Sequence, residues 1–353
     1  MASAAFKASL QQGFNETACR LLIREGSKSF YAASLLLPER VRKPAYALYA
    51  FCRLSDDAVD ANDAPSDAVE RLRERLDLAY RGRPCDIAAD RAFAEVIERF
   101  EMPRALPEAL LDGLEWDAIG WVPQTLSDTY AYSARVASTV GTMMTVLMGN
   151  RQPGVLARAA DLGVAMQLTN IARDVGEDAR NGRTYLPAEW MESAGIDREA
   201  FLADPASSAE IEECVAKLLS VADDLYDRAL PGIAALPADC RPAIHAARMI
   251  YREIGREIAR NGYNSVDRRA VVSSRQKIKL LAAAANRSRR AYPGLDRSVL
   301  PETQFLVEAV PPLASSSLQQ EDGAAKGLAR IIEIIQALEQ RDRARLPAGS
   351  AIN

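Results

Sequence analysis

The chain has 353 residues, 48% of them hydrophobic, enough for a buried core in one large domain or two ordinary ones. Its 44 Lys and Arg against 48 Asp and Glu leave a net charge of −4, so nothing draws it in bulk to nucleic acid or anionic lipid, and any anionic ligand must be held by local groups. Five widely spaced cysteines without a Cys-x-x-Cys argue against a disulfide framework or zinc knuckle and for a reduced compartment; the single histidine, His245, leaves no second one for a zinc site.

Along the chain, apolar residues recur at 3.6-residue spacing through 15–36, 40–62, 67–81, 90–101, 107–120, 128–149, 154–181, 208–230, 240–262 and 274–291, while period-two alternation is nearly absent. This spacing predicts an all-α protein. The first twenty residues are polar and lack the continuous apolar run of a secretory signal. Breaks fall at prolines and glycines such as Pro38, Pro84, Pro123, Pro187 and Pro231-Gly232, and none reads as a long interdomain linker. The longest apolar run, 136–149, is interrupted by Ser138, Thr139, Thr142 and Thr145 and is shorter than the ~20 residues that span a bilayer. His245 lies in an Ala/Arg-rich helical stretch, where a partly buried structural role is expected. After Pro311-Pro312 the composition turns polar, then amphipathic, with Leu328, Ile331, Ile332, Ile335 and Leu338 on one side. Residues 1–312 are therefore expected to form one domain. Residues 313–353 are expected to add a linker and a helix that packs on the domain or a sister chain, or touches a membrane.

Five Asp-x-x-x-Asp pairs occur, and their neighbours separate them. Asp63/Asp67 brackets Pro65 in a turn-like stretch, while Asp86/Asp90 and Asp223/Asp227 stand among alanine, leucine and ordinary surface charge; these three read as caps and solvated faces. The other two differ. On a helix turning about 100° per residue, Tyr49, Arg53, Asp56 and Asp60 share an arc of roughly 60°, and Gln167, Asn170, Asp174 and Asp178 one of roughly 80°. Every member of the second face can hydrogen-bond or bind a metal. More than a hundred residues separate the pairs, so a fold with a central cavity is needed to unite them.

Magnesium takes oxygen ligands, keeps several waters and commonly uses one or two carboxylates together with substrate phosphates. Two carboxylates about 6 Å apart repel by roughly 3 kcal/mol at an effective dielectric near 20, which a metal would relieve. Ionising an allylic diphosphate calls for charge neutralisation on the departing oxygens. Arg53, Arg173 and Arg183 lie within or just after the acidic segments, and Ser27 and Ser29 offer hydroxyls and helix-start amides to the same anion. A carbocation would need apolar and aromatic walls with small residues where chains pass, for which Tyr49, Tyr132, Gly141 and Tyr185 are candidates.

Four stretches carry a family resemblance: Ser27-Lys-Ser-Phe30; residues 49–60; residues 132–141; and residues 167–178 continuing to Arg183-Thr-Tyr-Leu-Pro187. Over about residues 15–290 the chain resembles the head-to-head trans-prenyl diphosphate synthases, the squalene/phytoene synthase family, and within it the bacterial phytoene synthases. The resemblance implies the all-α isoprenoid synthase fold with a central cavity. It implies that Asp56, Asp60, Asp174 and Asp178 hold magnesium, or manganese in its place, with Asn170 and Gln167 supporting. Arg53, Arg183, Arg269 and the Ser27/Ser29 loop would contact diphosphate, Arg173, Phe30 and Gly141 would belong to the substrate-binding site, and Tyr49, Tyr132, Tyr185 and Tyr251 would line the reaction channel.

The implied reaction joins two geranylgeranyl diphosphates through a cyclopropylcarbinyl diphosphate, prephytoene diphosphate, to phytoene, the first committed step of carotenoid biosynthesis, without NADPH. A cytoplasmic enzyme peripheral at the inner membrane, beside other carotenoid-pathway enzymes and without nucleic acid, is the expected setting. Two alternatives remain open: a squalene or dehydrosqualene synthase using farnesyl diphosphate, and a non-catalytic assembly protein on the same fold.

Overall fold

The computed structural model describes residues 4–60, 65–288 and 290–312, with side chains from residue 15 onward. The expected tail helix, Asp63 and the end of the 40–62 segment beyond Asp60 lie outside the described residues. Those described form sixteen α-helices and no strand. They are α1 (Ala4–Gly26), α2 (Lys28–Ser34), α3 (Glu39–Asp60), α4 (Pro65–Tyr80), α5 (Ala88–Phe100), α6 (Ala105–Ala118), α7 (Leu126–Ser133), α8 (Thr139–Leu147), α9 (Pro153–Arg180), α10 (Ala188–Ser193), α11 (Arg198–Ala203), α12 (Ala209–Arg228), α13 (Leu230–Ala235), α14 (Arg241–Arg260), α15 (Ser274–Arg287) and α16 (Gln304–Glu308). Among the described residues no helix is long and apolar enough to cross a membrane.

Two segments differ from the periodic reading, and four short helices fall outside it. The stretch 15–36 is two helices, because Ser27 adopts an extended backbone (φ −144°, ψ 101°) and its Oγ accepts the Phe30 amide at 3.3 Å, capping α2. The stretch 128–149 is interrupted by a π-helical turn, Ala134–Ser138, between α7 and α8. There the Ser138 hydroxyl donates to the Ala160 carbonyl at 2.7 Å, and a Cβ on Gly163 would collide with the Ser138 backbone, so α9 runs directly against this turn. The helices α10, α11, α13 and α16 were not anticipated; at five or six residues they are too short for an apolar face to repeat.

Two buried clusters organise the helices. The first gathers α1, α3 to α6 and α8 around Leu48, Leu72, Leu106 and Leu111, with Phe51 stacked on Phe93 at 4.3 Å. The second gathers α9, α12, α14 and α15 around Leu168, Val215, Leu218 and Ile250. Burying one such side chain contributes about 1.5–3 kcal/mol, and truncating Phe93 to alanine would cost about 3–5 kcal/mol. Phe30, Leu36 and Ile244 pack against both clusters, so the seam between them runs past α2 and α14. The two acid-bearing helices stand on opposite sides of this seam, and α8 packs against both.

The remaining acidic pairs are structural. Asp90 is buried rather than solvated and takes two hydrogen bonds from Arg75, at 2.6 and 2.9 Å. Asp223 and Asp227 pair with Arg252, and Asp227 also with Arg248. All five cysteines are free. His245 is fully buried, and neither ring nitrogen has a hydrogen-bond partner among the described residues.

Candidate active site

The last turns of α3 present Arg53, Asp56 and Asp60 at the seam. Arg53 donates to Asp56 at 3.3 Å and pairs with Asp57 at 2.7 Å. Tyr49, two turns earlier, sets its hydroxyl against Gly26, where any Cβ would displace it. The absent side chain of Gly26 thus lets the end of α1 approach the aromatic ring.

On α9, Pro153 starts the helix at a position where its missing amide costs nothing, and the far end carries the second face. The Asn170 amide donates to Gln167 Oε1 at 3.3 Å. Asp174 is gripped twice, by Arg173 at 2.5 and 2.8 Å and by Arg269 at 2.8 Å; Arg269 also reaches Glu177 at 3.3 Å. Arg269 arrives because the loop after α14 lies flat on α9: the Gly176 amide donates to the Ser265 carbonyl at 3.1 Å and Arg180 to the Val266 carbonyl at 2.8 Å. A Cβ on Gly176 would strike the Val266 backbone. Gly176 is a feature that the sequence reading missed.

What joins the two faces is Arg183, in the loop after α9, which donates to Asp60 at 3.1 Å across 123 residues of sequence. Beside it Tyr185 stacks on Tyr132 with ring centroids 4.8 Å apart. Both hydroxyls donate to Asp117, at the end of α6, at 2.7 and 2.9 Å. On the other flank Tyr251 packs on Phe30 at 5.1 Å, with Arg173 and Tyr49 close enough to act on it electrostatically. Ser29 sits half-buried in the first turn of α2. Gly141 faces the Ala159 carbonyl, 3.0 Å from where its Cβ would stand, so the close passage of α8 over α9 accounts for the small residue there. A cleft away from the site, of about 180 Å³, lies between α9, α12 and α14; its lining residue Thr169 is about 180° round α9 from Asp178.

Charge is crowded at the seam. Loss of solvent, with Asp60 next in weight, lifts the Asp56 carboxyl to about 6, against the pull of Arg53. Burial and then Asp174 and Glu177 lift Asp178 to about 7. Asp117 adds its own negative charge to both. Burial raises Asp174 too, but Arg173 and Arg269 outweigh it and hold that carboxyl below its ordinary value. Among the described residues no ion pair or hydrogen bond engages the Asp178 carboxylate, whereas its backbone carbonyl accepts the Arg183 amide at 2.9 Å.

Asp56, Asp60, Asn170, Asp174 and Asp178 form an all-oxygen donor set of the kind magnesium takes, and the like-charge crowding at Asp56 and Asp178 is what a cation would relieve. Among the described residues no three acidic, histidine or cysteine side chains make a ready metal cage. The fit rests on the oxygen chemistry of these side chains, which suits an ion that keeps waters and shares carboxylates with substrate phosphates.

The sequence pattern of the squalene/phytoene synthase family matches residues 23–276. A phytoene synthase from Cereibacter sphaeroides is 53% identical over 341 residues, covering 92% of this chain and 94% of its own length. The chain belongs to the squalene/phytoene synthase family. A phytoene synthase from Rhodobacter capsulatus is 51% identical over 333 residues, covering 92% of this chain and 96% of its own. Among solved structures, a dehydrosqualene synthase crystallised with a ligand superposes with a TM-score of 0.73 at 32% identity, over 78% of this chain and 97% of that one. A squalene synthase from Alicyclobacillus acidocaldarius, 24% identical with a TM-score of 0.66 over 72% and 97%, shares the fold. The expected isoprenoid synthase fold is thereby met.

Of the residues singled out from sequence, Tyr49, Arg53, Asp56, Asp60, Arg173, Asp174, Asp178, Arg183, Tyr185, Tyr132, Tyr251 and Arg269 are linked by the contacts above into one neighbourhood. Asp117 and Gly176 belong to it and were not singled out. Asp117 has no acidic partner at helical spacing on its own face, and Gly176 gains meaning only from a loop ninety residues away.

Proposed function

We propose that the chain is a prenyltransferase that makes phytoene, condensing two molecules of geranylgeranyl diphosphate head to head through prephytoene diphosphate. The observation that carries this reading is the bridge from Arg183 to Asp60, which sets the two acidic faces against each other beside a cluster of arginines. The relatives named phytoene synthase, matching over nearly the whole chain, support it.

Asp56, Asp60, Asn170, Asp174 and Asp178 would hold magnesium, or manganese. Bound there, the metal supplies charge neutralisation for the departing diphosphate. The chain's own part is to bind and orient. Arg53, Arg173, Arg183 and Arg269 all rest on carboxylates, and each can exchange that partner for a diphosphate oxygen without losing a charge-assisted hydrogen bond. Ser27 and Ser29, at the start of α2, add hydroxyls to the same anion. The rings of Tyr49, Tyr132, Tyr185 and Tyr251 exclude water from the cation that remains and offer it their electron-rich faces. The substrate tails and the product are oily, which favours work at the surface of the inner membrane on its cytoplasmic side, with hand-over to enzymes that consume phytoene.

The test is product analysis of purified protein with magnesium and either geranylgeranyl or farnesyl diphosphate, with and without NADPH. A C40 conjugated triene from the C20 substrate without NADPH is expected. A C30 product from the C15 substrate would move the reading to squalene-type chemistry, and no product from either would leave a non-catalytic role on this fold.

A further inference from the structure

The bonding around Asp117 has a direction. Its carboxylate oxygens accept one phenol each, Oδ2 from Tyr132 and Oδ1 from Tyr185, while the two rings lie nearly parallel at 16°. The stack continues outward: Trp121 lies over Tyr132 at 6.3 Å, Trp116 over Trp121 at 4.4 Å, and the Arg135 guanidinium over Trp116 at 4.2 Å. The ring planes are thus fixed by packing and the hydroxyl rotors by one carboxylate. A carboxylate can only accept, so each phenol must spend its single proton on Asp117. Burial first, and then Asp117 itself, raise the tyrosines further, so both stay protonated and remain donors.

We propose that Asp117 is a positioning residue for the condensation, accepting the hydroxyl hydrogen bonds of Tyr132 and Tyr185 so that both phenol oxygens turn lone pairs, not protons, towards the reacting chains. A phenol that donates to an anion is polarised, and its oxygen and ring become more electron-rich. That is the surface a carbocation needs beside it. Without Asp117 the hydroxyls would be free to turn their protons onto the nearby diphosphate or onto water, and the electron density facing the cation would fall. Burial raises the Asp117 carboxyl above its ordinary value, while the hydrogen bonds from Tyr185 and Tyr132 and then Arg183 favour its charged form; Arg183 also holds Asp60, so the same arginine ties the tyrosine pair to the acidic face.

This inference rests on the prenyltransferase reading of the site, and the experiment keeps the two apart. Wild type, Asp117→Asn, Asp117→Glu, Tyr132→Phe, Tyr185→Phe and each pairing of Asp117→Asn with a tyrosine variant are assayed with geranylgeranyl diphosphate and magnesium, with thermal melts and ultraviolet difference spectra. Asparagine offers one accepting oxygen where the aspartate offers two. Asp117→Asn is expected to lower kcat at least tenfold, to leave KM within about twofold and to blue-shift the tyrosine absorption. Asp117→Glu, which keeps the carboxylate, is expected to recover part of kcat, and adding Asp117→Asn to Tyr185→Phe is expected to cost much less than it does in wild type. Wild-type activity in Asp117→Asn, a loss seen only in KM, or losses that multiply in both paired variants would overturn the proposal. An inactive wild-type protein would instead overturn the prenyltransferase reading, and the proposal with it.

Discussion

The ends of α3 and α9 carry the same Asp-x-x-x-Asp spacing in different electrostatic settings. On α3 a single arginine, Arg53, divides its hydrogen bonds between Asp56 and Asp57, and Asp60 relies on Arg183 from the other half of the molecule. On α9 two arginines converge on Asp174, and Asp178 is left facing like charge. Spacing alone therefore sets where carboxylates point, and the surrounding loops decide which of them is already compensated. In each pair one member, Asp56 or Asp178, is held well above its ordinary value, so the demand for added positive charge falls on both sides of the seam.

The largest effect should come from removing either face. Asp56→Ala and Asp174→Ala are each expected to lower turnover by on the order of 10²–10³ or more, with the far-ultraviolet helical signal unchanged. Near-normal turnover in both would end the assignment of the metal ligands. A smaller effect should separate the two helices: Arg269→Ala leaves Arg173 on Asp174, so a rise of about tenfold in substrate KM is expected, in line with loss of one charge-assisted hydrogen bond. An unchanged KM would remove Arg269 from the diphosphate site.

Backbone approach gives a finer comparison. Gly176→Ala should cost about 1–3 kcal/mol and weaken substrate binding, because the Val266 segment that carries Arg269 has to shift. Gly141→Ala, whose Cβ would stand 3.0 Å from a single carbonyl oxygen, should cost less in chemical denaturation. Equal costs would show that the Val266 loop yields freely.

The subtlest effect concerns the second core. Burial, then Arg248, Arg287 and Arg241, lowers His245 to about 4, while Tyr292 stands 6.2 Å away without a hydrogen bond. In the unfolded chain this histidine titrates near 6.5. Between those values only the unfolded chain takes up the proton, so this contribution is complete above about 6.5 and is lost as the pH falls towards 4. Melting temperatures measured across that window should fall with pH in the wild type and fall less in His245→Gln. Parallel profiles would show that the histidine does not titrate as described.

Much of this was legible in the sequence. Long amphipathic runs gave the ten principal helical segments, because a stripe that repeats over three or more turns leaves a period that composition cannot hide. The acidic faces stood out from their look-alikes because Arg53, Gln167 and Asn170 share their arcs. The 15–36 run reads as one periodic stretch even though Ser27 offers helix-start amides; the break itself comes from the extended backbone and side-chain cap at Ser27. Asp90 read as solvated because its partner, Arg75, lies on another helix. Asp117 illustrates the limit most clearly: its meaning comes from two tyrosines 15 and 68 residues away, and no local spacing encodes them.

The account stands on the two acidic faces acting as one site. The most direct measurement is calorimetric binding of a non-ionising thiolo analogue of geranylgeranyl diphosphate, with and without magnesium, to the wild type and to Asp56→Ala and Asp174→Ala. Magnesium-dependent binding that is lost in each variant is the expected result. Wild-type binding in either variant would show that one helix suffices and that the faces work apart.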